Sequence, residues 1–250
     1  MEKTEIFGIQ FDNVTLSEAA ELAMSYVEKG EQALAVTPNA EIMQASLDDE
    51  NVKKALLSAE IVLPDGEGVV WAAKKLGSPL KQKVAGVEFG MECARICAEK
   101  GYSMFLLGGR EGVAENAAKK LCFLYPKLNI IGVENGYFKK DGAENEALTD
   151  RINKSGTDVL YVCLGAPAQE KWVYQNRKKL KSVRLIACLG GSLDIYAGTA
   201  KRAPRLFISL RLEWLYRLLR QPSRAKRMTN LPRFMISVYK YKRKLKKNEV

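Results

Sequence analysis

The residues best suited to acid–base chemistry lie in the segment Leu63–Gly68, where Asp65 follows an apolar run and precedes two glycines. Glycine lets a backbone approach a ligand closely, and a carboxylate held there can remove a proton from a hydroxyl. The chain has no histidine, so the usual general base near neutral pH is missing. Asp65 is therefore a candidate general base. The spacing equally allows Asp65 to cap the helix that follows, and both roles stay open.

Polar side chains also cluster in residues 37–41, where Thr37, Asn39 and Glu41 follow another apolar run. Their hydroxyl, amide and carboxylate groups suit hydrogen bonds to a sugar or a base. Proline and asparagine are also common turn residues, so a capped turn explains the same pattern. The segment is a candidate binding loop with a purely structural alternative.

Two familiar phosphate-binding patterns are absent from the sequence. The cluster Gly108–Gly112 is not GxGxxG, and no GxxxxGK[ST] occurs, which disfavours a dinucleotide-dependent dehydrogenase and a P-loop enzyme. No Asp-x-Asp pair is present to clamp a metal, and we expect neither a metal site nor a cofactor. Stabilisation of a departing diphosphate would then fall to positive side chains.

Four arginines near the end of the chain could supply that positive charge. They are Arg217, Arg220, Arg224 and Arg227. Their spacing of 3, 4 and 3 residues would align them on a continuous helix. Pro222 interrupts such a helix, so we expect a cluster at a corner between two helices. Arginine binds phosphate oxygens in a bidentate way that lysine cannot.

The charge of the chain is divided unevenly. Residues 201–250 contain 16 of the 40 basic and 2 of the 29 acidic residues, so they carry +14 while residues 1–200 carry −3. Such a block is typical of binding to a polyanion, although a solvated helix face is the simpler alternative. The apolar stretch Leu206–Leu219, with Trp214 and Tyr216, suits a membrane interface, a core or a dimer contact.

The kind of polyanion is indicated by what surrounds the charge. The tail arginines alternate with leucine and tryptophan, and the body has no RNP-type aromatic motif, which favours an anionic membrane surface and disfavours nucleic acid. A basic-tailed nucleic-acid-binding protein and a membrane scaffold without activity are the rival hypotheses. The apolar helix faces also leave homo-oligomer formation open.

The sequence predicts a cytoplasmic protein that is peripheral on the inner face of the cell membrane. No apolar stretch is long enough to span a bilayer, and the start does not resemble a signal peptide. An odd number of cysteines without CxxC spacing indicates buried, reduced thiols. The cysteines are Cys93, Cys97, Cys122, Cys163 and Cys188.

Strand-like and helix-like segments alternate along the body. The short apolar runs are Ile6–Ile9, Ala33–Thr37, Ile61–Leu63, Met104–Leu107, Ile130–Val133, Val159–Leu164 and Leu185–Leu189. The amphipathic stretches include Ser17–Lys29 (with a capping box at Thr15 and Glu18), Gly90–Lys100, Gly112–Leu124 and Ala168–Lys179. This alternation predicts an α/β fold of the Rossmann-like kind, a mostly parallel sheet with helices on both faces.

The same alternation places the candidate residues together. In an open α/β sheet the loops beyond the carboxyl ends of the strands share one edge, where ligands bind at a topological switch point. Thr37, Asn39, Asp65, Gln169 and Gly190–Asp194 all follow predicted strands. We therefore expect one crevice lined by these residues and by free N–H groups of helix N-termini.

Nine short motifs occur in order along almost the whole chain. They occupy residues 37–41, 63–72, 84–89, 106–109, 136–138, 164–172, 190–198, 201–204 and 212–228. Together they resemble the motifs of the WecG/TagA/CpsF glycosyltransferases, most closely those of the TagA type. The resemblance implies a Rossmann-like domain over about 1–200 and a helical, membrane-facing appendage over about 201–250.

The resemblance also implies an activity. Enzymes of this type transfer N-acetylmannosamine with inversion from UDP-ManNAc to GlcNAc-diphospho-undecaprenol, a polyprenyl-diphosphate-linked GlcNAc. The product has a β-1,4 linkage and belongs to the linkage unit of wall teichoic acid. The family is similar in needing no metal ion. WecG-type relatives use the uronic acid form of the donor, and that alternative stays open.

Roles for single residues follow from the same resemblance. The family's base is the Asp of a PDG motif, here Asp65. The other matches fall on its TPN, GxPxQE and LYR…PxRxxRM motifs, which imply substrate binding by Thr37, Asn39, Gln169, Arg217, Arg224 and Arg227. The chain departs from the family pattern at Ala168, Leu193 and Gln221. These departures leave the predicted fold unchanged and bear on donor and acceptor recognition.

Overall fold

The computed structural model describes residues 2–201, 203–204, 207, 213–220 and 229–248. Its strands are β1 (Lys3–Ile6), β2 (Ile9–Asp12), β3 (Ala33–Val36), β4 (Ile61–Val62), β5 (Ser103–Gly108), β6 (Asn129–Glu134), β7 (Val159–Cys163) and β8 (Leu185–Cys188). Its helices are α1 (Leu16–Lys29), α2 (Ala40–Asp48), α3 (Glu50–Leu57), α4 (Glu67–Leu76), α5 (Gly86–Lys100), α6 (Val113–Leu124), α7 (Gly142–Lys154), α8 (Ala168–Asn176), α9 (Ser192–Tyr196), α10 (Glu213–Arg220) and α11 (Asn230–Asn248), with a 3-10 turn at Arg177–Lys179.

Six strands form one parallel sheet in the order β4-β3-β8-β7-β5-β6. Every residue of β3, β5, β7 and β8 is buried, which explains why these strands are continuous apolar runs without alternation. The chain runs outward from β5 to β6 and then inward from β7 to β8. The direction of the connections therefore reverses between β5 and β7, which makes their carboxyl ends the switch point of the sheet.

Helices cover both faces of the sheet, as the sequence predicts. The buried residues of α1, α5, α6 and α9 form one core, and those of α2, α3, α4, α7, α8 and α11 form the other. The capping box of α1 is confirmed, because Thr15 N donates to Glu18 Oε2 at 2.7 Å and Glu18 N donates to Thr15 Oγ1 at 3.3 Å. The α/β prediction is therefore correct for the body of the chain.

The first predicted strand is wrong in its position. The run Ile6–Ile9 is the turn of an antiparallel hairpin between β1 and β2 and not a strand of the main sheet. Phe7 there has a left-handed φ of 57°. Its ring packs edge-on against Phe234 at 5.8 Å and Tyr241 at 5.2 Å between centroids, so tertiary packing offsets the unfavourable backbone. A short apolar run alone carries no sign of such a turn.

The last helix, α11, packs on the α/β body. Phe234 and Val238 are completely buried, and α11 contacts both α2 and α4. Polar contacts hold the helix as well: Arg233 pairs with Asp48 at 3.1 Å, and Ser237 Oγ donates to Gln44 Oε1 at 3.1 Å. The predicted division of the chain near residue 200 stays a prediction, but α11 shares its core with the sheet. Among the described helices, none is both long and apolar enough to cross a membrane.

Replacing Phe234 with alanine should destabilise the fold strongly, because a buried Phe→Ala change costs about 3–5 kcal/mol through lost burial and a residual cavity. Urea unfolding measures the effect. Ile236→Ala on the same helix is the matched control, since Ile236 is 55% exposed and its loss should change the free energy of unfolding by less than about 0.5 kcal/mol. Equal effects of the two changes would contradict the docking of α11.

Candidate active site

Asp65 lies in the loop between β4 and α4. Its N–H donates to Pro38 O at 3.3 Å, and Val84 N donates to Pro64 O at 2.9 Å, so this loop joins the loop after β3 to the segment before α5. Helix α4 begins after Gly66, which is its N-cap, and no side chain caps it. Gly66, and not Asp65, is therefore the N-cap residue of α4. The half-buried carboxylate stands at the carboxyl edge of the sheet.

Thr37 and Asn39 follow β3 at the same edge, and their side chains form hydrogen bonds with backbone groups there. Thr37 is 5% exposed, and its Oγ1 donates to Cys188 O at the end of β8, at 3.1 Å. Asn39 Oδ1 accepts from Glu41 N at 2.9 Å and Ile42 N at 3.1 Å, so Asn39 caps α2. The capped turn left open by the sequence is therefore present. Among the described residues Asn39 Nδ2 has no hydrogen-bond acceptor, which leaves it available to a ligand.

Gln169 lies in the first turn of α8 and is 1% exposed. Its Oε1 accepts from Gly190 N at 3.0 Å, and its Nε2 donates to Glu170 Oε1 at 2.8 Å. The amide oxygen is thus committed to the loop after β8. Thr37 holds the same strand end from the side of β3. The structure therefore brings both predicted residues to the backbone between Cys188 and Gly190.

Glu170 is a candidate functional residue that the sequence analysis missed. It is 1% exposed, and its Oε2 has no hydrogen-bond partner in the described part of the chain. Burial raises the pKa of Glu170 to about 7, against the opposing effect of the hydrogen bond from Gln169. The spacing to Val173 could have revealed it, because residues three apart share a helix face and Val173 is buried.

Backbone atoms dominate the switch point between β5 and β7. A β-carbon on Gly108 would lie 2.2 Å from Cys163 O, and one on Gly136 would lie 3.2 Å from Gly109 O. Helices α6 and α8 begin at this edge after Gly112 and Pro167, and no side chain caps either helix. Uncapped N–H groups and the helix dipole attract an anion such as phosphate.

The start of α11 reaches the same edge. A β-carbon on Gly68 would lie 2.9 Å from the β-carbon of Ala40 and 3.6 Å from Cδ1 of Leu231. The N-termini of α2, α4 and α11 therefore meet beside the Asp65 loop. Of the predicted arginines, Arg217 lies in α10, while Arg224 and Arg227 fall outside the described residues. In the described part of the chain no three His, Cys, Asp or Glu side chains cluster to hold a metal ion.

Comparison with known proteins accounts for this arrangement. The model of the "Glycosyl transferase WecG/TagA/CpsF family" matches residues 4–248. The chain belongs to this family of glycosyl transferases. A relative from Bacillus spizizenii, named N-acetylglucosaminyldiphosphoundecaprenol N-acetyl-beta-D-mannosaminyltransferase, is 32% identical over 232 residues, which cover 93% of this chain and 88% of the relative. A relative of the same name from Staphylococcus aureus is 32% identical over 247 residues, 98% of this chain and 95% of the relative.

In this WecG/TagA/CpsF chain, the buried carboxylate makes stability depend on pH. Burial raises the pKa of Glu170 from its ordinary value of 4.5 to about 7 in the folded protein. Its favourable contribution to stability is therefore complete below pH 4.5 and is lost as the pH rises to about 7. The full loss is about 3 kcal/mol.

Replacing Glu170 with glutamine removes that titration. The stability difference between variant and wild type should therefore move in favour of the variant by up to about 3 kcal/mol between pH 4.5 and 8. Urea unfolding at several pH values measures it, and Glu146→Gln, an exposed change on α7, is the control. A difference that is constant with pH would contradict the burial of an ionisable Glu170.

Proposed function

We propose that the protein transfers N-acetylmannosamine from UDP-ManNAc to GlcNAc-diphospho-undecaprenol, with inversion and a β-1,4 linkage. The names of the two aligned relatives support the reaction. The observation that carries the mechanism is the position of Asp65, a carboxylate at the carboxyl edge of the sheet that precedes the N-cap residue of the following helix. In a chain without histidine, this carboxylate is the best placed general base.

The chemical step is a single displacement. The Asp65 carboxylate accepts the proton of an acceptor sugar hydroxyl, and the oxygen attacks the anomeric carbon of the donor. The bond between that carbon and the β-phosphate oxygen breaks on the opposite face, and UDP leaves with the electron pair. Inversion follows because attack and departure occur on opposite faces. The proton on Asp65 is then released to solvent.

The departing UDP gains negative charge that must be stabilised. We place its diphosphate at the switch point between β5 and β7, where the uncapped N-termini of α6 and α8 offer N–H groups. The positive side chains of Arg217, Arg224 and Arg227 are proposed to neutralise the rest of the diphosphate's negative charge.

The other predicted binding residues are proposed to act in two ways: Asn39 contacts the substrate directly, whereas Thr37 and Gln169 act through the backbone. Asn39 Nδ2 is proposed to donate to a sugar, since its Oδ1 is already used by the α2 cap. Thr37 and Gln169 are nearly inaccessible, at 5% and 1% exposure. Their proposed contribution is to shape the loop after β8 against which the donor binds.

A peripheral position on the cytoplasmic face of the membrane is proposed from α11. Ile236, Lys240, Arg243 and Lys247 repeat at helical spacing and are exposed, while Phe234 on the opposite side is buried. One apolar side chain among basic ones suits an anionic lipid surface. Homo-oligomer formation also stays a prediction.

Changing Asp65 to asparagine should lower kcat by at least about 100-fold, because the amide cannot accept the proton and general-base catalysis contributes 10²–10⁴-fold. Binding of UDP and thermal stability should be unchanged, since the shape of the side chain is kept. Release of UDP in the presence of UDP-ManNAc and a short-chain GlcNAc-diphospholipid measures the rate. Asp150→Asn, an exposed change on α7, is the control. Full activity of Asp65→Asn would rule out the proposed base.

Charge removal on α11 tests the membrane surface more cleanly than deletion of residues 201–250, because deletion would also remove the buried Phe234 and Val238. The triple change of Lys240, Arg243 and Lys247 to glutamine should weaken binding to anionic vesicles by about 10- to 100-fold. Vesicle co-sedimentation at physiological salt measures it.

The matched control for the α11 variant removes the same charge from the opposite edge of the sheet. In this control variant, three exposed lysines are changed to glutamine: Lys127, Lys178 and Lys181. They lie near the amino ends of strands or the carboxyl end of α8. This variant should bind anionic vesicles like the wild type apart from a small long-range effect. Equal losses in the two triple variants would show that net charge, and not the α11 surface, drives binding.

A further inference from the structure

We infer that Glu170 is a positioning residue, which fixes the Gln169 amide and through it the loop after β8 that borders the donor. This inference rests on the proposed function for the identity of the donor. It goes beyond that function by assigning a role to a side chain that lies beneath the site and contacts no other charged group in the described part of the chain.

The geometry leaves Gln169 one orientation. Gly190 N–H can only donate, so the amide atom that faces it at 3.0 Å must be the oxygen. The amide nitrogen then points to Glu170 Oε1 at 2.8 Å, where a carboxylate can only accept. If the amide were rotated by 180°, its NH₂ group would face the Gly190 N–H, which is also a donor. Its oxygen would face the Glu170 carboxylate, which is also an acceptor. The carboxylate therefore excludes the alternative orientation of Gln169.

The loop held in this way is central to the site. Gly190 has a left-handed φ of 60°, and Ser192 Oγ donates to Leu189 O at 2.6 Å, which closes the turn after β8. Because β8 lies between β3 and β7, its loop borders both the Asp65 side and the switch point. Thr37 bonds the last residue of β8, and Leu189 N in the loop donates to Val162 O at 3.0 Å. Gln169 adds the side-chain bond to the next loop residue, Gly190.

The unpaired oxygen argues against a purely structural role. Burial of a carboxylate without a cation is unfavourable, and a neutral glutamine could also accept the Gln169 hydrogen bond. The Cys188 thiol on β8 interacts with Glu170, but burial raises the pKa of this thiol well above its usual value, so it stays neutral. On α8 itself, Lys171 pairs with Asp49 at 2.5 Å. Among the described residues no charged side chain contributes to the Glu170 shift.

Protonation of Glu170 near neutral pH should therefore weaken its hydrogen bond with Gln169, and with it the hold of Gln169 on Gly190. A hydrogen bond to a carboxylate is roughly twice as strong as one to a neutral acceptor, and Glu170 has a pKa of about 7. As the pH falls from 8 to 6, the KM for the UDP-sugar should rise by about five- to tenfold while the KM for the acceptor changes little. Glu170→Gln mimics the neutral form, so it should show the higher donor KM at both pH values.

Two measurements test the role in the full-length protein. Steady-state kinetics with UDP-ManNAc compare wild type, Glu170→Gln, Gln169→Ala and the double variant at pH 6 and pH 8. If Glu170 acts only through Gln169, the double variant should match Gln169→Ala, which is a non-additive cycle. Additive effects on the donor KM, or an acid-side rise of donor KM that persists in Glu170→Gln, would overturn the inference.

The second measurement does not need activity. The amide resonance of Gly190 in ¹⁵N-labelled protein should shift with an inflection near pH 7 in the wild type and lose that inflection in Glu170→Gln. A wild type without the Gly190 inflection would overturn the inference even if transfer is observed. Inactivity of the wild type with UDP-ManNAc, together with a preserved inflection, would refute the proposed donor and leave the positioning role supported.

Discussion

The active-site edge depends on how the end of one central strand is held. Strand β8 lies between β3 and β7, and its last carbonyl and the following loop are bonded from both sides. Thr37 Oγ1 donates to Cys188 O, and Gly190 N donates to Gln169 Oε1. Together with the backbone bond from Leu189 N to Val162 O, these two side-chain bonds hold the backbone between the Asp65 loop and the β5–β7 crevice. Two residues implied as ligand contacts thus act mainly on the backbone.

The hydrogen bonds that hold this loop include the Glu170 carboxylate, a group that does not stabilise the folded state. An unpaired carboxylate beneath the site reduces stability at neutral pH, whereas an apolar or amide side chain would not. Local instability of this kind is common at functional sites, where the surrounding structure compensates for it. Here the fully buried strands β3, β5, β7 and β8 supply the compensating core.

Much of the fold could be predicted from the sequence because the central strands are buried on both faces. Their apolar runs predict parallel strands, and the glycines, proline and polar residues after them predict the ligand edge, including Asp65. The hairpin around Phe7 and the docking of α11 could not be predicted, since both depend on contacts with Phe234 and Tyr241 that are distant in the chain. Nor could the sequence reveal that Thr37 and Gln169 face β8, because strand order is not visible in a pattern.

The two-sided character of α11 has a geometric consequence under the proposed attachment to the membrane. A 19-residue helix is about 28 Å long, and α11 starts beside the Asp65 loop and runs away from it along α2 and α4. If its basic side rests on lipid headgroups, the sheet takes a fixed orientation to the bilayer, and the Asp65 carboxylate lies at a fixed height above it. The acceptor's diphosphate and first sugar would then act as a ruler that selects lipid-linked substrates by their reach.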